Sequence, residues 1–437
     1  MSEEKMRSFS LGVHGDIAAV AGKFAGWVSK KSGLGSGGMI GGRVARSLDK
    51  NILRKAAKDK TVVLVTGTNG KSTTTRMVSA ALSSLGDVAT NERGDNMTDG
   101  VLTALLRKPQ AEFAVLEVDE LYLRSVSEQV TPDVFVLLNL SRDQLDRMGE
   151  TASVEKHIRE TLSKYPQAQV VANCDDPLIV SAAWDCRNVT WVAAGLSWFD
   201  DSTTFPRGGQ SVVRENGSWY VPGTDYRRPD PQWYLDGDAL CKAEKGSEKG
   251  VGVPTVLRRD LRLQVPGRAN RGNAAQAVSA ALLLGADFDT AVSAVGGVES
   301  VAGRYSVVSV NGREVRLLLA KNPAGWQEAL TMIDSDAKSV VIAVNGQIAD
   351  GTDLSWLWDV DFEGLRTKSA KIVACGERGA DLAVRLDYAG IDSDLEGTPQ
   401  VAVANCERGR VDLIANYTAF RDFKRQLEAG SGRKKEK

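Results

Sequence analysis

The sequence predicts an α/β protein with a central P-loop nucleotide-binding unit and a smaller C-terminal α/β unit. Three observations carry this prediction. A β-branched apolar run feeds a glycine-lysine turn near residue 65, several later apolar runs each end in polar residues, and strand and helix signals alternate again after residue 304. A chain of 437 residues exceeds the size at which one hydrophobic core stops growing, so more than one domain is expected. The segments read as 1–59, helical and glycine-rich and belonging to the central domain, then 60–299, then 300–437 with a disordered tail after Gly430.

Residues 61–75 read TVVLVTGTNGKSTTT. Val62 to Val65 form a buried strand, Gly67 and Gly70 permit a tight turn, and the residues that follow open an amphipathic helix. A helix N-terminus offers unpaired N–H groups and a partial positive charge, so a polyphosphate can settle there. Gly67, Thr68, Asn69, Gly70, Lys71, Ser72 and Thr73 are therefore the expected phosphate contacts, with Lys71 reaching the β- and γ-phosphates and the Ser72 or Thr73 hydroxyl on Mg²⁺. Val65 stands where the commonest pattern has glycine, so the loop is shorter than usual.

Taken in order, the next runs repeat this design. Val88 to Thr90 lead into a polar loop, NERGDNMT at 91–98, of the kind that handles a second substrate or a terminal phosphate. FAVLEVD at 113–119 puts Glu117 and Asp119 on one face at a strand end, where carboxylates suit Mg²⁺. The alternative is a solvated strand face, but Glu117 interrupts an apolar run and so needs a partner. VFVLLNLSRDQLDR at 134–147 is another strand with a polar end. VVANCDDP at 170–177 brings Asn173 and Asp175 to a further strand end, where adenine or ribose contacts compete with a simple helix start. Residues 198–255 read as a β-rich insertion. GRANRGN at 267–273 introduces an apolar helix from Ala274 to Leu284, with Asn273 as its cap or with its amide turned toward a nucleotide, and Asn270 one turn earlier.

In the last third, strands are expected at 306–310, 314–319, 339–344, 370–374 and 401–403. NGQIADGTDLSWLWDVDFE at 345–363 combines two tryptophans with five acidic residues. It reads equally as a capped helix with Trp356 and Trp358 in the core or as a docking or catalytic surface. Near the start, KKSGLGSGGMIGG at 30–42 is either a linker or a loop passing close to a ligand.

Composition narrows the function. With 55 Lys and Arg against 56 Asp and Glu, the net charge of -1 gives no global basic excess and no argument for nucleic acid. Five scattered cysteines without a Cys-x-x-Cys pair suggest a reducing cytoplasm, and two histidines make a Ser-His-Asp triad or a His-rich metal site improbable. No long apolar span or leader is visible, so a soluble protein without a signal peptide is expected.

The order of GTNGKST at 67–73, LEVDE at 116–120, Asn139 with the Asp143 to Asp146 cluster, Asn270 and Asn273, and Gly303-Arg304 resembles the Mur ligase superfamily. RDQLDR at 142–147, NCDDP at 173–177, KNPAG at 321–325 and DGTDLSWLWDVDFE at 350–363 are similar to the MurT family, the synthetase subunits of lipid II isoglutaminyl synthase, over about residues 33 to 390. This resemblance implies a Mur ligase-like central domain that binds ATP and Mg²⁺. It also implies amidation of the α-carboxyl of D-glutamate in the lipid II stem to D-isoglutamine, through an acyl phosphate that ammonia attacks. It makes Arg304 a further nucleotide clamp from the second domain. Ammonia would come from a GatD-type glutaminase whose Cys-His pair is completed by an aspartate of this chain, Asp353 ahead of Asp350. The enzyme would be cytoplasmic, meeting the inner face of the plasma membrane only through lipid II.

Four departures from the family pattern stand out. Gln144 replaces the histidine of ligases that add amino acids. The 198–255 insertion keeps only Cys241 of a four-cysteine ribbon, so no zinc is expected. Gly303-Arg-Tyr-Ser306 lacks the usual glutamate, and Asn345-Gly-Gln347 replaces an Asn-Asp start. The alternatives are a stand-alone amino acid ligase like folylpolyglutamate synthase, or a nucleotide-binding scaffold that has lost catalysis.

Overall fold

A computed structural model describes residues 11–31, 38–91, 95–142, 151–243, 255–299, 305–351 and 353–432. Its larger sheet has nine strands. From edge to edge these are Thr255–Asp260, Ala239–Ala243, Trp233–Asp236, Val189–Ala193, Gln169–Asn173, Val134–Leu137, Thr61–Thr66, Phe113–Glu117 and Val88–Thr90. From Trp233–Asp236 to Val88–Thr90 the neighbours are parallel, and the first three strands are antiparallel. Thr61–Thr66 is where the strand order reverses, since the connection leaving it runs toward the Val88–Thr90 edge whereas the one leaving its neighbour Phe113–Glu117 runs the other way, to Val134–Leu137. The crevice beyond its C-terminal end is therefore the natural ligand position in an open parallel sheet.

Both faces of this sheet are covered, which explains why its strands read as continuous apolar runs. Val62 and Leu64 point into one core and Val63 and Val65 into the other. Helices α1 (Gly12–Lys31), α2 (Gly38–Leu48) and α3 (Ile52–Ala57) cover the first face, while α4 (Lys71–Leu82) and the Arg268–Leu283 helix cover the second. Part of the β-rich 198–255 stretch extends the sheet through Trp233–Asp236 and Ala239–Ala243. The remainder includes a two-stranded hairpin, Val213–Glu215 with Ser218–Tyr220, seated on a small core of Phe205, Trp219, Val221 and Cys174.

The second sheet has six strands in the order Tyr305–Val310, Arg313–Leu319, Gly409–Ala415, Ser339–Ala343, Lys371–Cys375 and Ser393–Glu396, parallel except for the first pair. The strand expected at 401–403 is instead inside the Pro399–Asn405 helix, whose start is fixed by the Thr398 side chain accepting from Val401 N–H and by Pro399 in its first turn. The sequence reading missed the central strand Gly409–Ala415. Its Asp412 breaks the apolar run, yet it is fully buried, accepts from Asp334 N–H at 2.7 Å and lies 3.3 Å from the Arg316 guanidinium.

Two further expectations are corrected. Asn273 does not cap its helix, which begins at Arg268 behind Gly267 (φ +105°), so Asn273 lies in the second turn with its side chain toward Gly70. Residues 345–363 do not form a capped α-helix but a chain of short 3₁₀ turns, Ile348–Asp350 and Ser355–Trp358. Trp356 stacks in the core on Trp326 at 5.6 Å, while Trp358 is 56% exposed. Arg304, Asp143, Gln144, Asp146, Gly303, the glycine-rich 32–37 and the end of the tail lie outside the described residues.

Candidate functional site

The turn after Thr61–Thr66 is held from two sides. Thr68 N–H donates to Asn139 O (2.8 Å), Asn69 N–H to Asn139 Oδ1 (3.0 Å), and the Asn139 amide returns a bond to Asn69 O (3.0 Å). The Thr68 hydroxyl donates to Ser141 O and accepts from Ser141 N–H. Gly67 and Gly70 have φ of +135° and +89°, and a Cβ on Gly67 would lie 2.9 Å from Asn139 O. Gly70 is the N-cap of α4 and no side chain caps that end, so the first-turn N–H groups are offered outward from the turn.

Lys71 is buried. Its ammonium donates to Gly67 O (2.6 Å), Thr68 O (3.2 Å) and Glu120 Oε2 (3.1 Å). Burial opposes its charge, but the fields of Glu120, Glu117 and Asp119 outweigh that and hold its pKa above the ordinary lysine value. Glu117 ends its strand 2% exposed. Its N–H donates to Asn91 Oδ1 (2.8 Å), yet its Oε1 is buried without a hydrogen-bond partner. A buried carboxylate oxygen without a hydrogen-bond partner, beside a glycine-rich turn at a helix start, is a cation ligand in chemical character.

The neighbouring strand ends complete the site. The Asn173 amide donates to Gly195 O (2.9 Å) and its Oδ1 accepts from Asp175 N–H. Asp175 accepts from Gly195 N–H (2.7 Å) and from Arg228 Nε (2.6 Å), so these two residues shape a wall and Arg228 supplies its positive charge. On the Arg268–Leu283 helix, Asn273 donates to Asn270 Oδ1 (3.3 Å), and Gln276 donates to Leu137 O (2.8 Å).

A cavity of about 850 Å³ joins these groups to the second sheet, lined by Asn69, Gly70, Asn173, Asn273, Tyr305 and Gly325 among others. The two sheet units also touch directly. The Asn69 amide donates to Asn322 Oδ1 (3.3 Å), Ala269 N–H donates to Glu328 Oε1 (2.9 Å), and Arg142, itself held by Asp201, lies 3.5 Å from Asp359. Asn322 also caps the Pro323–Thr331 helix through Gly325 N–H (2.8 Å).

Of the sequence-selected residues, Asn69, Gly70, Thr73, Asn173, Asp175, Asn270 and Asn273 line this cavity, Gly67, Thr68, Lys71, Ser72 and Glu117 are not part of its lining, and Asp350 and Asp353 stand apart with the second sheet. Asp350 is buried and accepts from Thr418 N–H (2.9 Å) and from the Thr418 hydroxyl. Burial raises its pKa. Asp353 is exposed, and the Ser355 N–H at 2.8 Å holds its carboxyl below the usual range. Sequence reasoning did not select Glu120 or Arg228. Glu120 was signalled by acidic density within LEVDE, whereas nothing local to Arg228 reveals its partner 53 residues away.

Among the described residues no three acidic, histidine or cysteine groups form a metal cluster, and no helix is long and apolar enough to cross a membrane.

Two family profiles match the chain, the Mur ligase middle domain over residues 65–204 and the MurT ligase C-terminal domain over residues 319–420. The lipid II isoglutaminyl synthase (glutamine-hydrolyzing) subunit MurT of Streptococcus pneumoniae is 30% identical, covering 94% of this chain and 96% of that protein. The pseudomurein peptide ligase type C of Methanothermus fervidus has a similar fold, with a TM-score of 0.66, 18% identity and coverage of 87% and 80%. So does the MurF ligase of Thermotoga maritima solved with ADP, with a TM-score of 0.57, 17% identity and coverage of 88% and 83%. The chain belongs to the MurT family of Mur ligases.

Proposed function

We propose that this ligase amidates the α-carboxyl of D-glutamate in the lipid II stem peptide, giving D-isoglutamine, with ATP as the activating substrate and ammonia delivered by a GatD-type glutaminase. The observation that carries the nucleotide half is the uncapped start of α4, with Lys71 and the unpartnered Glu117 oxygen beside it, opening on a cavity shared by both sheets.

A carboxylate is a poor electrophile, and bound ATP would supply the phosphoryl group that converts it to an acyl phosphate. The chain's own residues then have separable tasks. The N–H groups of residues 70–73 and the Lys71 ammonium bind phosphate oxygens and neutralise the approach of two anions. Ser72 and Glu117 would hold Mg²⁺, a hard cation that takes its remaining ligands from phosphates and water, which suits a site with one free carboxylate oxygen. Asn173, Asp175, Asn270 and Asn273 line the nucleotide wall, and Arg304 would clamp from the second domain. The Asn69–Asn322 and Ala269–Glu328 contacts keep both sides of the cleft together, which limits access of water to a reactive acyl group. We divide the chain accordingly into 1–59, 60–299 and 300–437.

The second half of the proposal concerns the nitrogen. Of the four aspartates in the 345–363 stretch, Asp350 is committed to Thr418 and Asp359 lies against Arg142, while Asp353 and Asp361 are both exposed, and Asp353 is held ionised by the Ser355 N–H. Nearby, Trp358 and Tyr388 meet edge to face at 5.4 Å, and both are largely exposed, a pair of aromatic anchors suited to a partner. Asp353 would orient the partner's catalytic histidine as a third acid acting across the interface. The reaction would take place in the cytoplasm at the inner membrane face. Assaying the chain with and without a glutaminase for glutamine-, ammonia- and ATP-dependent amidation of lipid II tests this. Glutamate ligation in place of amidation would overturn it.

A further inference from the structure

Helix α1 is amphipathic in the reverse of the usual sense. Its buried face is made of small residues, Gly15, Ala18, Ala19, Gly22 and Ser29. A Cβ on Gly22 would meet Gly41 O at 2.6 Å, and one on Gly41 would meet Gly22 O at 2.8 Å, so α1 and α2 are in backbone contact. No large side chain fits between them, and the rotation of α1 is thereby fixed. Its large apolar residues point the other way. Val13, Ile17, Val20, Phe24 and Trp27 follow the three-four spacing of a single helix face and are 75%, 60%, 68%, 64% and 57% exposed.

The charge around this stripe says what it meets. Residues 1–59 contain eleven Lys and Arg against five Asp and Glu, a net +6 in a chain whose total is -1, so the remaining residues carry -7. Lys31 lies on the stripe itself, seven residues beyond Phe24, with its ammonium 5.1 Å from the Trp27 ring, and Lys23 flanks it. Arg43 and Arg46 of α2, Lys50 in the turn that follows and Arg54 of α3 line a recess of about 480 Å³, and neither Arg43 nor Lys50 has an ion-pair partner among the described residues. Cores of protein interfaces are depleted in lysine. A lysine in line with exposed Phe and Trp, on a strongly positive end of an otherwise acidic chain, matches the boundary between acyl chains and anionic headgroups.

We propose that α1 lies in the surface of an anionic lipid bilayer, with Val13, Ile17, Val20, Phe24 and Trp27 at the acyl boundary and Lys23 and Lys31 among the phosphates. This goes beyond the amidation reading, which needs membrane contact only through the substrate, and the test uses no substrate. The full chain is sedimented with vesicles of phosphatidylcholine alone and with vesicles also containing phosphatidylglycerol. The chain is expected to bind the anionic vesicles, less at high salt, and not the neutral ones. F24S/W27S should reduce the bound fraction by roughly tenfold or more. K23E/K31E, which leaves the apolar stripe intact, should also reduce it, with melting temperature and nucleotide binding unchanged in both variants. Three results would overturn the proposal: no binding by the wild-type chain, unchanged binding by both variants, or a wild-type dimer that F24S/W27S converts to a monomer without any vesicle binding. Loss of the glutaminase from the complex with F24S/W27S, again without vesicle binding, would assign the face to a protein partner instead.

Discussion

Glu120 Oε2 accepts from the Lys71 ammonium at 3.1 Å, so the phosphate-loop lysine rests on a carboxylate and not in the cavity. To reach a phosphate it must leave Glu120. Lys71→Met is expected to weaken nucleotide binding by about a hundredfold, since a buried charge-assisted contact is lost. Glu120→Gln should leave binding intact or tighten it, while lowering stability by about 3 kcal/mol through the broken buried pair. Titration with Mg·ADP beside urea unfolding separates the two. Equal loss of affinity in both variants would show that Glu120 is not a resting partner. Because the folded Lys71 pKa is raised, its contribution is complete below pH 10.5 and lost only above it, so neither effect should vary around neutrality.

Glu117 is more evenly balanced. Its Oε1 is buried without a hydrogen-bond partner while its charge supports the Lys71 ammonium, so the two effects oppose each other and Glu117→Gln should change the stability of the ligand-free protein by no more than about 1 kcal/mol. The same change should abolish most of the extra thermal shift that Mg²⁺ adds to ADP. A Mg²⁺-dependent shift that survives in Glu117→Gln would remove this residue from the metal role.

Asp353→Asn should lose glutamine-dependent amidation and keep the ammonia-dependent rate, because its carboxylate faces solvent and accepts from neighbouring Ser355. Asp350→Asn should instead lower both rates together with the melting temperature, since it disturbs the two bonds that tie this stretch to Thr418. Rates measured with glutamine and with an ammonium salt decide between them. A matching loss of both activities in Asp353→Asn, at unchanged melting temperature, would put that residue elsewhere in the mechanism.

The strand–turn–helix around Gly67 and Gly70 could be read from sequence because its pattern is local: strand, two glycines, lysine and helix start lie within fifteen residues. Strands buried on both faces were equally visible as apolar runs. Gly409–Ala415 was missed because Asp412 finds its compensation in Arg316, 96 residues away, and a single sequence shows no such pairing. The pairing of Arg228 with Asp175 is concealed for the same reason. Asn273 was identified but given the wrong helical position, because Gly267, and not a side-chain cap, starts that helix. The outward apolar face of α1 was invisible since periodicity reveals a stripe but not which side packs. The glycine contact between Gly22 and Gly41 decides that, and it exists only in three dimensions.

A pH-dependent device lies behind the loop. Asp176 is fully buried, accepts from Leu140 N–H (2.8 Å) and Leu178 N–H (2.9 Å), and caps the Pro177–Ala183 helix. Burial pushes its pKa up to about 6, although the two N–H groups pull the other way. An unfolded aspartate ionises near 3.8, so between that pH and 6 the unfolded chain has lost its proton while the folded one keeps it. Stability from this group therefore falls as pH rises through the window, by up to about 3 kcal/mol, and is level above it. Leu140 precedes Ser141, which holds Thr68 of the turn before α4, and Leu140 and Ser141 both line the cavity, so the loss acts beside it. Urea midpoints of wild type and Asp176→Asn between pH 4 and pH 7 isolate the effect, because Asn stays neutral throughout. The gap between the two curves should narrow or change sign as pH rises toward 6, and a gap that stays constant across the window would assign Asp176 an ordinary carboxylate pKa.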